Sequence, residues 1–178
     1  MKAIAILLVA GMAACQATTT SSGSPQVRTT SAEVATFAPF RTFGFRLATE
    51  PPAPYQVSSR SFDVERRVRD LVTAELERRG YTEAGSNADF LIRISSGTAQ
   101  ADQTQPTTTS GGNENQPQAV TAGAVIVDAF DGSTSQQVWH GTAQAVIDPQ
   151  RVDEARLETA VHQMFAPFPA RSAPPATR

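Results

Sequence analysis

The stretch "VIVDAFDGSTSQQVWHG", residues 125–141, decides how this chain folds. Asp131-Gly132 is a strong turn pair set between two runs rich in β-branched residues, "AGAVIVDAF" (122–130) and "SQQVWHGTAQAVI" (135–147). Two such runs on either side of a tight turn predict an antiparallel hairpin. Strand parity then sorts its side chains: Asp128 goes with Ile126 and Phe130, while Trp139 and Gly141 lie opposite His140 in parity. Trp139 reads as a core anchor with a small residue beside it, and His140 as a residue of the solvent side. Asp131 begins the turn, where its carboxylate is expected to cap turn amides.

Upstream, "ADFLIRI" (88–94) is a third strand, largely apolar. It is joined to the hairpin by "GTAQADQTQPTTTSGGNENQPQ" (97–118), which is polar, of low complexity, and without aromatic, cationic or histidine residues. That composition predicts a passive, mobile hairpin loop. Before it, Val64, Val68, Leu71, Val72 and Leu76 recur at helical spacing from Ser61 onward, with Arg66, Arg67, Asp70 and Glu77 left for solvent. The arginines of this face alternate with acids, Glu75 among them, and read as an ion-paired, solvated surface. Gly80 fits the left-handed position after the helix, with Tyr81 packing back on Leu76.

A fourth strand is expected in "FAPFRTFGFRL" (37–47), where Phe43, Phe45 and Leu47 alternate with Thr42, Gly44 and Arg46. After the hairpin, Asp148-Pro149 is expected to start a second helix with the stripe Leu157, Ala160, Val161, Met164 and Phe165, stopped by Pro167 and Pro169. The expected order is β-α-β-β-β-α. This gives one α+β domain over residues 36–168: a small mixed, mostly antiparallel, four-stranded sheet with both helices on one face. Residues 169–178 are expected to be a disordered tail.

The N-terminus carries the localisation signal. Lys2 precedes an apolar run over residues 3–14, shorter than the ~20 residues a spanning helix needs. The run reads as a signal peptide ending in "Met12-Ala13-Ala14-Cys15", which resembles a bacterial lipobox with Met12 where Leu is usual. Cys15 is the only cysteine, so it has no internal disulfide partner. It is expected to carry diacylglycerol and an N-acyl chain, a stable two-signal anchor. Residues 16–35, rich in Thr and Ser, then serve as a flexible tether. Gln16, where an Asp would retain a lipoprotein at the inner membrane, resembles the outer-membrane class.

Five stretches in order, "FRTFGF", "VRDLVTAELERRGY", "ADFLIRI", "VIVDAFDGSTSQQVWHG" and "FAPFP", resemble the bacterial lipoproteins grouped as domain of unknown function 4136. The most specific positions are Asp128, Asp131, Trp139 and Gly141 with their spacing, read as structural. The sequence departs from the family pattern at Gly44-Phe45, where a small residue and Trp are frequent, and at His140, where a basic residue is frequent. The resemblance implies a periplasm-facing lipoprotein with an α+β domain and no established reaction.

Composition limits the alternatives. Removing residues 1–14 takes the single Lys and leaves 14 basic against 17 acidic residues, a balance of −3, which argues against nucleic-acid binding. No phosphate loop, G-x-S-x-G or HExxH motif occurs, and His140 and His162 have no ligand spacing. The expected protein is non-enzymatic, without metal or cofactor beyond its acyl chains. It sits on the inner leaflet of the outer membrane, facing the periplasm and a periplasmic protein partner. The alternative is a periplasmic hydrolase or small-molecule binding enzyme using Asp128 and His140. Intact mass of the protein extracted from membranes checks the anchor: acyl chains on a chain beginning at Cys15 are expected, and they should be absent after Cys15→Ser.

Overall fold

A computed structural model describes residues 24–32, 34–109 and 112–171. The chain forms strand β1 (Gln26–Ser31), a single helical turn α1 (Val34–Phe37), strand β2 (Thr42–Phe45), helix α2 (Ser61–Arg78) and strand β3 (Thr82–Glu83). Strands β4 (Phe90–Thr109), β5 (Gly112–Asp131) and β6 (Gln137–Val146) follow, then helix α3 (Glu154–Phe165). The strands make one six-stranded mixed sheet in the order β1-β6-β5-β4-β2-β3. The α+β class stands, but the expected four-stranded sheet is corrected to six. β2 pairs in parallel with β4 and with β3, and the other pairs are antiparallel.

The two additional strands sit where the sequence offers little apolar signal. β1, "QVRTTS", lies in the stretch expected to be tether; an edge strand needs only one half-buried face, here Val27 and Thr29. β3 is two residues long, set beside β2 by the turn at Gly80. The polar segment 97–118, expected as a loop, continues the β4–β5 ladder in register out to Thr109↔Gly112. Period-2 patterning is carried by alternating apolar residues, and this segment has no large apolar residue to carry it.

Register divides the sheet into two faces. Phe43, Phe90, Ile92, Ile94, Val127, Ala129 and Trp139 all point to one side, where α2 and α3 cover them with Val68, Val72, Leu76, Val161, Met164 and Phe165. Leu47, expected to share this face, follows the end of β2 and is 90% exposed. α2 ends as expected: Gly80 has φ +89°, its N–H donates to Glu77 O, and Tyr81 N–H donates to Leu76 O.

α3 begins later than expected. Asp153 caps it by accepting from Arg156 N at 3.0 Å, whereas Asp148 instead closes a turn through Gln150 N at 2.8 Å. The expected tail is also docked at its start. Pro169 is buried and its carbonyl accepts from Tyr81 Oη at 3.1 Å, while Arg171 N donates to Arg79 O at 3.0 Å.

Two glycines are set by close approach. A Cβ on Gly44 would stand 1.7 Å from Gly85 O, and one on Gly141 would stand 2.3 Å from Trp139 Cη2 and 2.5 Å from Met164 Cγ. Gly141 is the space the indole occupies. Gly141→Ala is expected to overpack the core and destabilise the domain by about 2 kcal/mol, a fall of roughly 4–8 °C in Tm by calorimetry.

Candidate functional site

The sheet face away from the helices carries the opposite parity: Gly44, Leu91, Arg93, Ser95, Ile126, Asp128, Phe130, His140, Thr142, Arg28 and Thr30. Row by row, Arg93 lies opposite Asp128, Asp128 opposite His140, and His140 opposite Thr30. Asp128 is 4% exposed because it sits on central strand β5, and a buried carboxylate must find donors. It finds four. Arg93 donates to Oδ2 from Nη2 at 2.7 Å and from Nε at 3.3 Å, Gln137 Nε2 donates to Oδ1 at 2.9 Å, and His140 Nδ1 lies 2.6 Å from Oδ1.

The geometry assigns the histidine tautomer. An ionised carboxylate only accepts, so Nδ1 carries the proton and Nε2 is the ring nitrogen left unengaged by Asp128. The His140 side chain is 38% exposed, so this nitrogen belongs to a ring that solvent reaches. Beside the cluster, the guanidinium carbons of Arg46 and Arg93 each lie 4.7 Å from the centroid of Phe130, a cation–π arrangement around one ring. A register shift between Ala129 and Phe130 on the β5–β6 pair brings Gln137 level with Phe130, within reach of Asp128.

The other residues singled out from sequence have structural settings. Asp131 Oδ1 accepts from Ser133 N at 2.8 Å, Thr134 N at 2.9 Å and Ser133 Oγ at 2.6 Å. The Ser133 hydroxyl and the Thr134 amide hold its carboxyl below the usual range. Trp139 is buried against Phe165, centroids 5.0 Å apart. Met12, Ala13, Ala14 and Cys15 lie outside the described residues.

A second cluster departs from its expected solvated surface. Glu75 is 4% exposed at the α2–α3 seam, bonded by Arg78 Nη1 at 2.9 Å and His162 Nδ1 at 3.0 Å, and paired with Arg79. Burial pushes its carboxyl up, but the hydrogen bonds from His162, Arg79 and Arg78 prevail and hold it low. Arg79 also donates to Phe165 O at 2.5 Å, so the cluster clamps the two helices together. Among the described residues, no group of three or more His, Cys, Asp or Glu could hold a metal ion, and no helix is long and apolar enough to cross a membrane.

The structure brings together Asp128 and His140, the pair of the alternative reading, and adds Arg93 and Gln137 as partners of Asp128 that the sequence reading did not name, with Arg46 on the neighbouring Phe130. The available signal is Arg93 itself, a charge inside the otherwise apolar run from Phe90 to Ile94, at outward parity.

Comparison with solved structures finds a PDZ domain protein from Parabacteroides distasonis, similar over 84% of this chain with TM-score 0.52 and 13% identity. This chain spans 37% of that protein's length, and the likeness is one of fold. A PelC dodecamer from Paraburkholderia phytofirmans aligns over 83% of this chain and 99% of its own at TM-score 0.48 and 15% identity. A neuraminyllactose-binding hemagglutinin homolog from Helicobacter pylori aligns over 72% and 78% at TM-score 0.39 and 13% identity. No curated protein matches. The family model described as "Domain of unknown function (DUF4136)" matches residues 27–170, and the chain belongs to that family.

Proposed function

We propose that this is a non-enzymatic, lipid-anchored cell-envelope protein, attached through Cys15 to the outer membrane, whose helix-free sheet face binds an acidic segment of a periplasmic protein. The observation that carries the binding reading is the saturation of Asp128. Both of its oxygens are taken by Arg93, Gln137 and His140, so the carboxylate serves as a hub that fixes those side chains in place. Preorganised donors bind at lower entropic cost than free ones. Around Asp128 this face carries Arg28 and Arg93 on its strands and Arg46, just past β2, stacked on Phe130, while Asp128 itself is already paired; the remaining charge there is positive. The anchor reading rests on the lipobox-like sequence and on the family resemblance.

Arg46→Glu tests the face without touching the hub. A ten-residue polyglutamate probe is expected to shift the His140 and Arg93 resonances of the wild type. The variant should bind it at least about tenfold more weakly with unchanged Tm, and the wild-type affinity should fall with added salt. Equal affinity for both proteins would overturn the assignment of this face.

The 2.6 Å His140–Asp128 pair favours a second reading, a hydrolase in which Asp128 orients His140 as general base. Esterase and phosphatase assays of wild type, Asp128→Ala and His140→Ala decide it. Turnover lost in both variants would establish this reading, and turnover that survives both would remove these residues from any chemistry. For the binding domain proposed above, no turnover is expected.

A further inference from the structure

Sheet edges are where this fold can still form main-chain hydrogen bonds, and its edges are unequal. The long ribbon formed by the outer parts of β4 and β5 has two flanks. Thr98 exchanges both backbone hydrogen bonds with Gln56 at 2.9 Å, and Ile92 O accepts from Arg46 N at 2.9 Å. Even-numbered residues of β4 therefore turn their N–H and C=O groups away from β5. On β5, Thr121 O accepts from Ile147 N at 2.9 Å, so odd-numbered residues turn away from β4. Pro106 is even and Pro117 is odd, so each flank has, near its middle, an outward position with no N–H to offer. Both flanks are blunted against strand addition. The outermost strand at the other side, β3, offers only two residues.

β1 is different. Ala32 N donates to Val138 O at 2.8 Å, so even-numbered residues face β6, while Val27, Thr29 and Ser31 turn their donors and acceptors outward. Its six-residue register with β6 is unbroken, and none of its residues is proline. Among the described residues nothing pairs with that edge.

We infer that β1 pairs with β1 of a second copy of this chain, antiparallel about a two-fold axis at Thr29. That register sets Thr29 opposite Thr29 and Val27 opposite Ser31, roughly six main-chain hydrogen bonds in all. It also sets Arg28 opposite Thr30 rather than opposite its own counterpart, so no like charges meet directly. The contact is self-complementary, as a closed two-fold interface requires. Because Thr30 neighbours His140, the Arg28 of each copy extends the cationic face of the other.

The single native cysteine makes the test clean. In the mature chain, residues 15–178 with Cys15→Ser, Thr29→Cys is expected to form a disulfide-linked dimer under mild oxidation. Cα atoms in a hydrogen-bonded pair lie ~5.5 Å apart, within disulfide reach. Val27→Cys, ~13 Å from its counterpart in this register, should stay monomeric. Thr29→Pro removes an outward N–H without touching the β6 ladder. It should weaken self-association in sedimentation equilibrium at least about tenfold while circular dichroism is unchanged. A wild type that is monomeric at every concentration, or crosslinking equal at positions 27 and 29, would overturn the inference. A chain that dimerises only once residues 15–23 are deleted would also overturn it, assigning the edge to the chain's own N-terminal segment.

Discussion

Trp139 over Gly141 is the contact on which the domain is assembled. The indole fills the space that any Cβ at 141 would claim, and it brings β6 against Phe165 of α3 and against Phe168, at centroid distances of 5.0 and 5.2 Å. From Phe168 the aromatic contacts continue to Tyr81, Phe90 and Phe37, at 6.1, 6.1 and 5.2 Å. One side chain on the second strand of the sheet thus ties together the C-terminal helix, the end of α2 and the segment entering β2. Such rings contribute both buried area and edge-to-face geometry, which makes the arrangement directional as well as apolar.

That choice of side determines what the other face can be. With α2 and α3 committed to the Trp139 parity, every intervening residue is turned outward, including Asp128 in the middle of a central strand. A carboxylate there is shielded from water by its neighbouring strands, and only charged or amide donors at the adjacent register positions can satisfy it. Arg93 and His140 occupy those positions across the ladders, and the register shift near Phe130 supplies Gln137. The polar cluster therefore follows from core packing on the opposite face, with Arg93 and Gln137 completing it alongside Asp128 and His140.

This dependence also explains how much could be read in advance. Residues whose environment follows from alternation or turn chemistry were legible: Trp139 and Gly141 by parity, Asp131 by its turn, Gly80 and Tyr81 by the helix stop. β1 and the outer ribbon were not, because their sequences are polar and lack the apolar period that marks a strand. Glu75 was misread for a related reason. An acid followed by Arg78 and Arg79 at i+3 and i+4 has the spacing of a surface pair, and only the approach of α3 with His162 turns it into a buried clamp. The partners of Asp128 were missed because cross-strand register, not sequence spacing, brings them together.

The register places two features at one end of the sheet. Gln26, at the start of β1, is level with Gln144, Ala124 and Gly97, and the ribbon of β4 and β5 departs from this same end. Under the proposed anchoring at Cys15, the chain leading to the membrane also leaves from here. About eleven residues from Cys15 to Pro25 can span at most ~36–40 Å even when fully extended. The ribbon, roughly eleven residue pairs at ~3.3 Å each, projects ~35 Å. Under that anchoring a fully extended tether exceeds the ribbon by only a few ångströms, so an upright ribbon would stay close to the lipid. A polar, proline-blunted ribbon suits that position, because it presents neither an apolar face to insert nor an open edge to aggregate in the crowded layer beneath the domain.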